Sequence, residues 1–261
     1  MSEDFKIEKL IFFDRYSAAK NTFFVGNLFY PGMARFYNRL DDKSKVELVK
    51  YLCGGVFDQK SDGLFFIKPI ANLKSNLDFE WEFYNSDGSF AEMCGNAARC
   101  ASLAFFNLKN QKEASFLTGA GEISSQILSL GSREADPSTL FSRAKIKMTM
   151  VDEISELEAE GHPGLFLNTG VPHFVIETAP DLSLGRKLRK AEAFGAAGAN
   201  STFVKEKGDY IEAVTFERGV ESFTQACGTG AVAAAAWKNH IEKETAIRRI
   251  LMPGGELLVE N

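Results

Sequence analysis

A chain of 261 residues with 45% apolar and 25% charged side chains has the composition of an ordinary globular protein, long enough for one large domain or two of usual size. Its net charge is −5 and no basic cluster stands out, which argues against nucleic acid as a partner; no apolar run approaches the roughly 18 residues of a membrane span. The opening "MSEDFKIEKLIFFDR" sets acids ahead of a short apolar run, unlike a secretory leader, so a cytoplasmic location is expected.

Along the chain, "KLIFFDRYS" and "NTFFVGNLF" read as strands, and "SKVELVKYLCGG" as a helix stopped by Gly54-Gly55. "DGLFFIKP" is the next strand. In "LDFEWEFYNSDGS" the large side chains Phe79, Trp81 and Phe83 alternate with acids, which is the period of a half-buried strand, and a turn follows. A helix is expected from about Gly95 to Phe106, then strands at "ASFLTG" and "EISSQILSL". The polar stretch Gly131–Arg143, with its proline, is the expected linker. Beyond it "AKIKMTMV" reads as a strand and "TGVPHFVIET" as a turn and strand. A helical run follows at "SLGRKLRKAEAF". "NSTFVKEKGDYIEAVTFERG" reads as a hairpin turning at Gly208-Asp209. An Ala-rich helix after Cys227 and a closing strand, "GELLVEN", complete the order.

That order repeats. Each half runs strands, helix, strands, then Cys-Gly at the start of an Ala-rich helix, in "AEMCGNAARC" and in "QACGTGAVAAAAW". The pattern predicts an internal duplication and an α+β fold. Two pseudo-symmetric domains are expected, each a mostly antiparallel or mixed sheet wrapped round a central helix. The expected domains are residues 1–130, joined by the closing strand 251–261, and residues 131–250.

The chain has four cysteines and three histidines. No CxxC pair occurs, and no histidine lies near a cysteine at a metal-ligand spacing, so no metal is expected. Cys53 and Cys100 read as reduced, buried thiols. Cys94 and Cys227 stand at helix starts. Unpaired N–H groups and a partial positive charge there favour a thiolate and can hold a carboxylate, and a glycine in the first turn lets that anion approach the backbone. If the two halves face one another, the two thiols flank the α-carbon of a small amino acid. One then removes the α-proton and the other returns a proton from the opposite face, while the helix N-termini stabilise the carbanion. No nucleotide or dinucleotide loop is present, and no cofactor is expected. Structural thiols, or a redox pair, are the alternative readings.

These residues resemble the diaminopimelate epimerase family. The resemblance rests on "FYNSDGSFAEMCGNAARC" and "FERGVESFTQACGTGA", with "GGVFDQKSDG" and "MPGGELLVE" adding to it. It implies a cofactor-independent isomerase of amino acids, homodimeric, that converts LL- to meso-diaminopimelate for lysine and peptidoglycan synthesis. Cys94 and Cys227 match the catalytic pair. Gly95, Asn96, Gly228 and Thr229 match the N–H donors to the substrate α-carboxylate. Asn21, Gln59, Asn85, Asn200, Glu217 and Arg218 match further substrate-binding positions, Glu217 for the α-ammonium and Arg218 for the distal end. His173 reads as a hydrogen-bonded structural histidine. The departures concern recognition: Val171 replaces a substrate-contacting Asn, Lys20-Asn21-Thr22 lacks the family's usual Gly and Asp, and "AEAFGAAGAN" replaces the pattern usual before Asn200. A racemase of another amino acid, or a non-catalytic carboxylate-binding relative, are the alternatives.

Overall fold

The computed structural model describes residues 11–55, 60–71, 75–133, 136–148 and 150–260. The chain separates into two compact units, one ending at Lys147 and the other starting at Met148.

In the first unit, β1 (Phe13–Ala18) and β2 (Asn21–Asn27) form a hairpin, followed by α1 (Pro31–Tyr37) and α2 (Asp42–Cys53). Then come β3 (Gly63–Lys68), β4 (Phe79–Asn85), the short β5 (Phe90–Ala91), α3 (Gly95–Lys109), β6 (Glu113–Thr118), β7 (Gly121–Arg133) and β8 (Asp136–Lys147). These strands make one eight-stranded sheet in the order β1-β2-β3-β4-β6-β7-β8, with β5 paired to β4. The alternation read from the sequence sorts side chains between its faces. Phe79, Trp81 and Phe83 turn inward with Phe23, Phe65 and Ile67 onto Ala97, Ala98, Ala101 and Ala104 of α3. Those alanines are small enough for the sheet to curl closely round the helix. The other face carries Phe24, Leu64, Phe66 and Tyr84 against Met33, Val49 and Leu52 of α1 and α2. Because β3 is covered on both faces, it is an unbroken apolar run rather than an alternating one.

The second unit contains β9 (Asp152–Ala159), β10 (His162–Asn168), β11 (Pro172–Glu177), α4 (Leu182–Leu188), β12 (Asn200–Lys207), β13 (Tyr210–Glu217) and the short β14 (Ser222–Phe223). It ends with α5 (Gly228–Glu242), β15 (Arg248–Met252) and β16 (Gly255–Val259). Its sheet runs β16-β15-β13-β12-β11-β10-β9, with β14 on β13. Ala231 and Ala233–Ala236 of α5 are buried, and α5 touches β10, β11, β12, β13, β15 and β16. Phe174, Phe203 and Phe216 pack on the other face with Leu188 of α4.

The duplication is visible in the pairing itself. β1 to β7 are joined antiparallel, parallel, antiparallel, short antiparallel, parallel, antiparallel. β10 to β16 follow the same succession. β8 and β9 are the additions, one at the edge of each sheet. The fold is therefore α+β with two pseudo-symmetric domains.

The division between units differs from the expected one. The described residues of the expected linker do not form one: 131–133 lie in β7 and 136–143 in β8, paired from Ser124↔Lys147 out to Arg133↔Asp136. Ser132, Phe141 and Arg143 are exposed, as they could be in a ribbon or in a loop. The last strand pairs with β15 in the second sheet and does not complete the first.

The β1–β2 hairpin carries one of the departures noted above. Ala18 pairs with Asn21, so Ala19 and Lys20 form a two-residue turn with φ of 48° and 65°. Both positions of such a turn favour Asn or Gly, because a Cβ is crowded there. Ala19→Asn is expected to raise stability by about 0.5–1 kcal/mol, measured as an increase in the denaturation midpoint. An unchanged or lower midpoint would count against strain at this turn.

Candidate active site

Each unit presents a cysteine as the N-cap of its Ala-rich helix. Cys94 has φ −147° and ψ 115°, and Cys227 has φ −124° and ψ 112°. Both are extended, and both helices run for 15 residues. In each case a short strand, β5 or β14, precedes the cysteine and pairs back onto the central strand that leads to it. The same local architecture therefore delivers a thiol to the start of the same helix twice.

In the first unit Cys94 is half-buried and Asn96 buried. Asn96 Nδ2 donates to Asn21 Oδ1 at 2.5 Å, and Arg99 donates to Asn96 Oδ1. Asn21, Cys94, Gly95 and Asn96 are thus brought together at the helix start. Asn85 is exposed at the end of β4, opposite Gly63. Its side chain donates to Ser89 Oγ at 3.1 Å and its carbonyl accepts from Gly88 N–H. Asp62 ties this turn to the β1–β2 hairpin: its carboxylate accepts from Thr22 N–H at 2.8 Å and its carbonyl from Ser86 N–H at 3.0 Å. Gln59 lies outside the described residues. The sequence reading missed Asp62 and Arg99. Burial pushes the Arg99 guanidinium down, while Cys100 and Cys94 beside it pull it back up.

The second unit gathers every remaining candidate. Cys227 is buried, and its Sγ accepts from Gly230 N–H at 3.3 Å and lies 3.3 Å from Thr229 Oγ1. A Cβ on Gly230 would meet Thr215 Oγ1 at 2.2 Å, so the glycine lets the helix start lie directly on β13. Gly228 opens the helix between Cys227 and Thr229. Glu217, at the end of β13, accepts from Thr224 Oγ1 at 2.5 Å, and its carboxylate is close enough to the Cys227 thiol to influence its protonation. Asn200 is buried and takes Arg218 N–H on its Oδ1 at 2.8 Å, while the Arg218 side chain is exposed. His173 is fully buried, with Nδ1 2.9 Å from Thr202 Oγ1 and Nε2 3.0 Å from Thr229 Oγ1. Thr202 Oγ1 lies 3.2 Å from Thr215 Oγ1. Thr202 and Thr215 were not singled out by sequence, since a threonine in a strand is ordinary. Val171 forms the turn before β11, its carbonyl accepting from Thr169 N–H at 3.1 Å.

Electrostatics correct one expectation. A helix start alone favours a thiolate, but burial drives the Cys227 thiol well above its usual range. The neighbouring Glu217 carboxylate adds to this, and the hydrogen bonds from Thr229 and Gly230 offset only part of it. Burial also raises Glu217, against hydrogen bonds from Thr224 and Cys227. Burial, with Arg218, takes His173 down to about 3, so its imidazole is neutral at physiological pH. Cys227 is therefore a protonated thiol in this state. That suits the role of proton donor, one of the two roles a two-base reaction needs.

Among the described residues no helix is long and apolar enough to cross a membrane. No group of three His, Cys, Asp or Glu among them could hold a metal ion.

The fold is that of a group of epimerases and related isomerases. A predicted epimerase from Pseudomonas aeruginosa superposes with a TM-score of 0.67 at 12% identity, covering 96% of this chain and 92% of that one. A phenazine biosynthesis protein of the PhzF family from Enterococcus faecalis gives 0.61 at 13%, covering 95% and 91%. At that identity the likeness concerns the fold alone. A family model, diaminopimelate epimerase, matches residues 33–137 and 165–261. The diaminopimelate epimerase of Aquifex aeolicus is 38% identical over 82% of this chain and 77% of its own length. That of Thermotoga maritima is 31% identical over 94% and 92%. The chain belongs to the diaminopimelate epimerase family.

Proposed function

We propose that this protein is an isomerase that interconverts LL- and meso-diaminopimelate, without a cofactor, by two-base inversion at the α-carbon. The observation that carries the reading is the equivalence of Cys94 and Cys227, each the N-cap of the same helix in the two copies of one repeated sheet. Inversion needs one acid–base group for each face of the carbon, and the chain supplies one thiol per unit. N–H groups of the first helical turns, from Gly95, Asn96, Gly228 and Thr229, hold the substrate carboxylate. Its charge grows as the carbanion forms, so these donors favour the transition state over the ground state. Glu217 offers a carboxylate for the α-ammonium beside the Cys227 sulfur. Arg218, with an exposed guanidinium, suits the distal carboxylate. Asn21, Asn85 and Asn200 orient the remainder, and Gln59 belongs to the same set. The protein acts in the cytoplasm as a homodimer on this reading, with the amino acid as its only partner besides a second copy.

One observation favours a second reading, inversion of a different amino acid. Val171 carries no side-chain polar group where the family has a substrate-contacting Asn. Incubation in heavy water under reducing conditions separates the two. Deuterium entering the α-carbon of LL-diaminopimelate with inversion supports the first reading. Exchange with another amino acid alone supports the second, and exchange with none rejects both.

A further inference from the structure

Behind Cys227 lies a buried chain of polar groups with a direction that can be deduced. Arg218 N–H is an obligate donor and meets Asn200 Oδ1 at 2.8 Å, which fixes the orientation of the Asn200 amide. Its Nδ2 therefore faces His173 Nε2, at 3.3 Å. An NH2 group can only donate, so Nε2 carries no proton and acts as acceptor. The imidazole is neutral, and its single proton is on Nδ1, where it donates to Thr202 Oγ1 at 2.9 Å. Thr202 is itself braced by the Thr215 hydroxyl at 3.2 Å.

We propose that Thr202, by accepting the Nδ1 proton that the Asn200 amide keeps off Nε2, is a positioning residue that holds this His173 tautomer and leaves the Thr229 hydroxyl able to follow the protonation state of Cys227. This rests on the reading of Cys227 as an acid–base group. With Nε2 bare, Thr229 O–H donates to His173 when the sulfur is a thiol, and its lone pair faces the sulfur. When Cys227 has given up its proton, the same hydroxyl rotates to donate to the thiolate, and Asn200 Nδ2 continues to satisfy Nε2. The opposite tautomer would remove that freedom. An Nε2–H would donate to Thr229 permanently, force its proton onto the sulfur, and press against the Asn200 NH2 group. A group that must be acid for one epimer and base for the other is served by the first arrangement and hindered by the second.

Thr202→Val keeps the shape and removes the acceptor, and Thr202→Ser restores it. The protein has three histidines, so nitrogen-15 labelling of histidine gives a spectrum in which His162, His173 and His240 can be told apart. The wild type is expected to show His173 protonated at Nδ1. Thr202→Val shifts it toward Nε2–H and lowers kcat in both directions by roughly tenfold, about the worth of one hydrogen bond in the transition state, with KM little changed. Thr202→Ser keeps the wild-type tautomer and rate. A wild-type His173 protonated at Nε2, or a Thr202→Val enzyme with unaltered tautomer and kcat, would overturn the proposal. The spectrum is read without substrate, so absence of turnover with diaminopimelate would count against the assigned reaction and leave the tautomer test standing.

Discussion

Cys94→Ala and Cys227→Ala are each expected to lower epimerisation by about 10³–10⁴-fold, the contribution of a positioned acid or base. Combining them is expected to cost little more than either one alone. Groups that act as a unit are lost together, because inversion needs both faces served within one turnover. The two single variants should nevertheless differ in a second measurement. A lone remaining thiol can still take and return a proton on its own face, so each variant should exchange the α-hydrogen of one epimer with heavy water without inverting it. The epimer exchanged by Cys94→Ala should not be the one exchanged by Cys227→Ala. Cys227→Ala also deletes the sulfur that accepts Gly230 N–H, a cap contribution of about 1 kcal/mol. Circular dichroism is therefore needed to show that the fold persists. Near wild-type inversion by either variant would eliminate the two-thiol mechanism.

The protonation of Cys227 is where sequence and structure part most clearly. The Cys-Gly start of an Ala-rich helix was legible, because a capping position and a small-residue helix are local patterns. The burial of the sulfur and its closeness to Glu217 are long-range consequences of β13 and β14 folding back, and no local pattern carries them. Strands with one apolar face, such as Phe79–Asn85, declared themselves by alternation. The hairpin Asp152–Ala159 and His162–Asn168 did not, because β9 is an edge strand with exposed acids on both sides. The helix Pro31–Tyr37 was also missed: it is seven residues long and its N-cap, Tyr30, makes no side-chain cap. Gly131–Arg143 resembled a linker because it is polar and carries Pro137, and a strand ribbon at a sheet edge can share the composition of a loop. The internal repeat was legible in order, and its boundary was not, because β8 and β9 have no counterpart in the other unit.

Outside the site, the largest stability effect is expected at Glu82. On the outer face of β4 its carboxylate accepts from the Tyr37 and Tyr84 hydroxyls. It also accepts from Lys45 Nζ at 2.9 Å and Lys68 Nζ at 3.3 Å. One carboxylate thus ties α1 and α2 to the sheet. Burial alone would raise Glu82, but these donors outweigh it and hold it at about 2, against 4.5 for an ordinary glutamate. The folded state therefore prefers the charged form. The associated stability, about 3 kcal/mol, is present above pH 4.5 and is lost as pH falls toward 2. Side-chain exposure is only 14% for Glu82 and 13% for Lys45, so solvent screening removes little of it. Glu82→Gln leaves the two lysines without their shared counter-charge and is expected to cost about 2–4 kcal/mol at pH 7. The informative quantity is the difference between wild type and variant across pH, since other carboxylates titrate equally in both. That difference should hold steady from pH 7 to 5 and shrink toward zero by pH 2, followed by urea denaturation at each pH. Curves that stay parallel down to pH 2 would mean that Glu82 is not the depressed carboxylate, and that the tyrosine hydroxyls hold the helices without its charge.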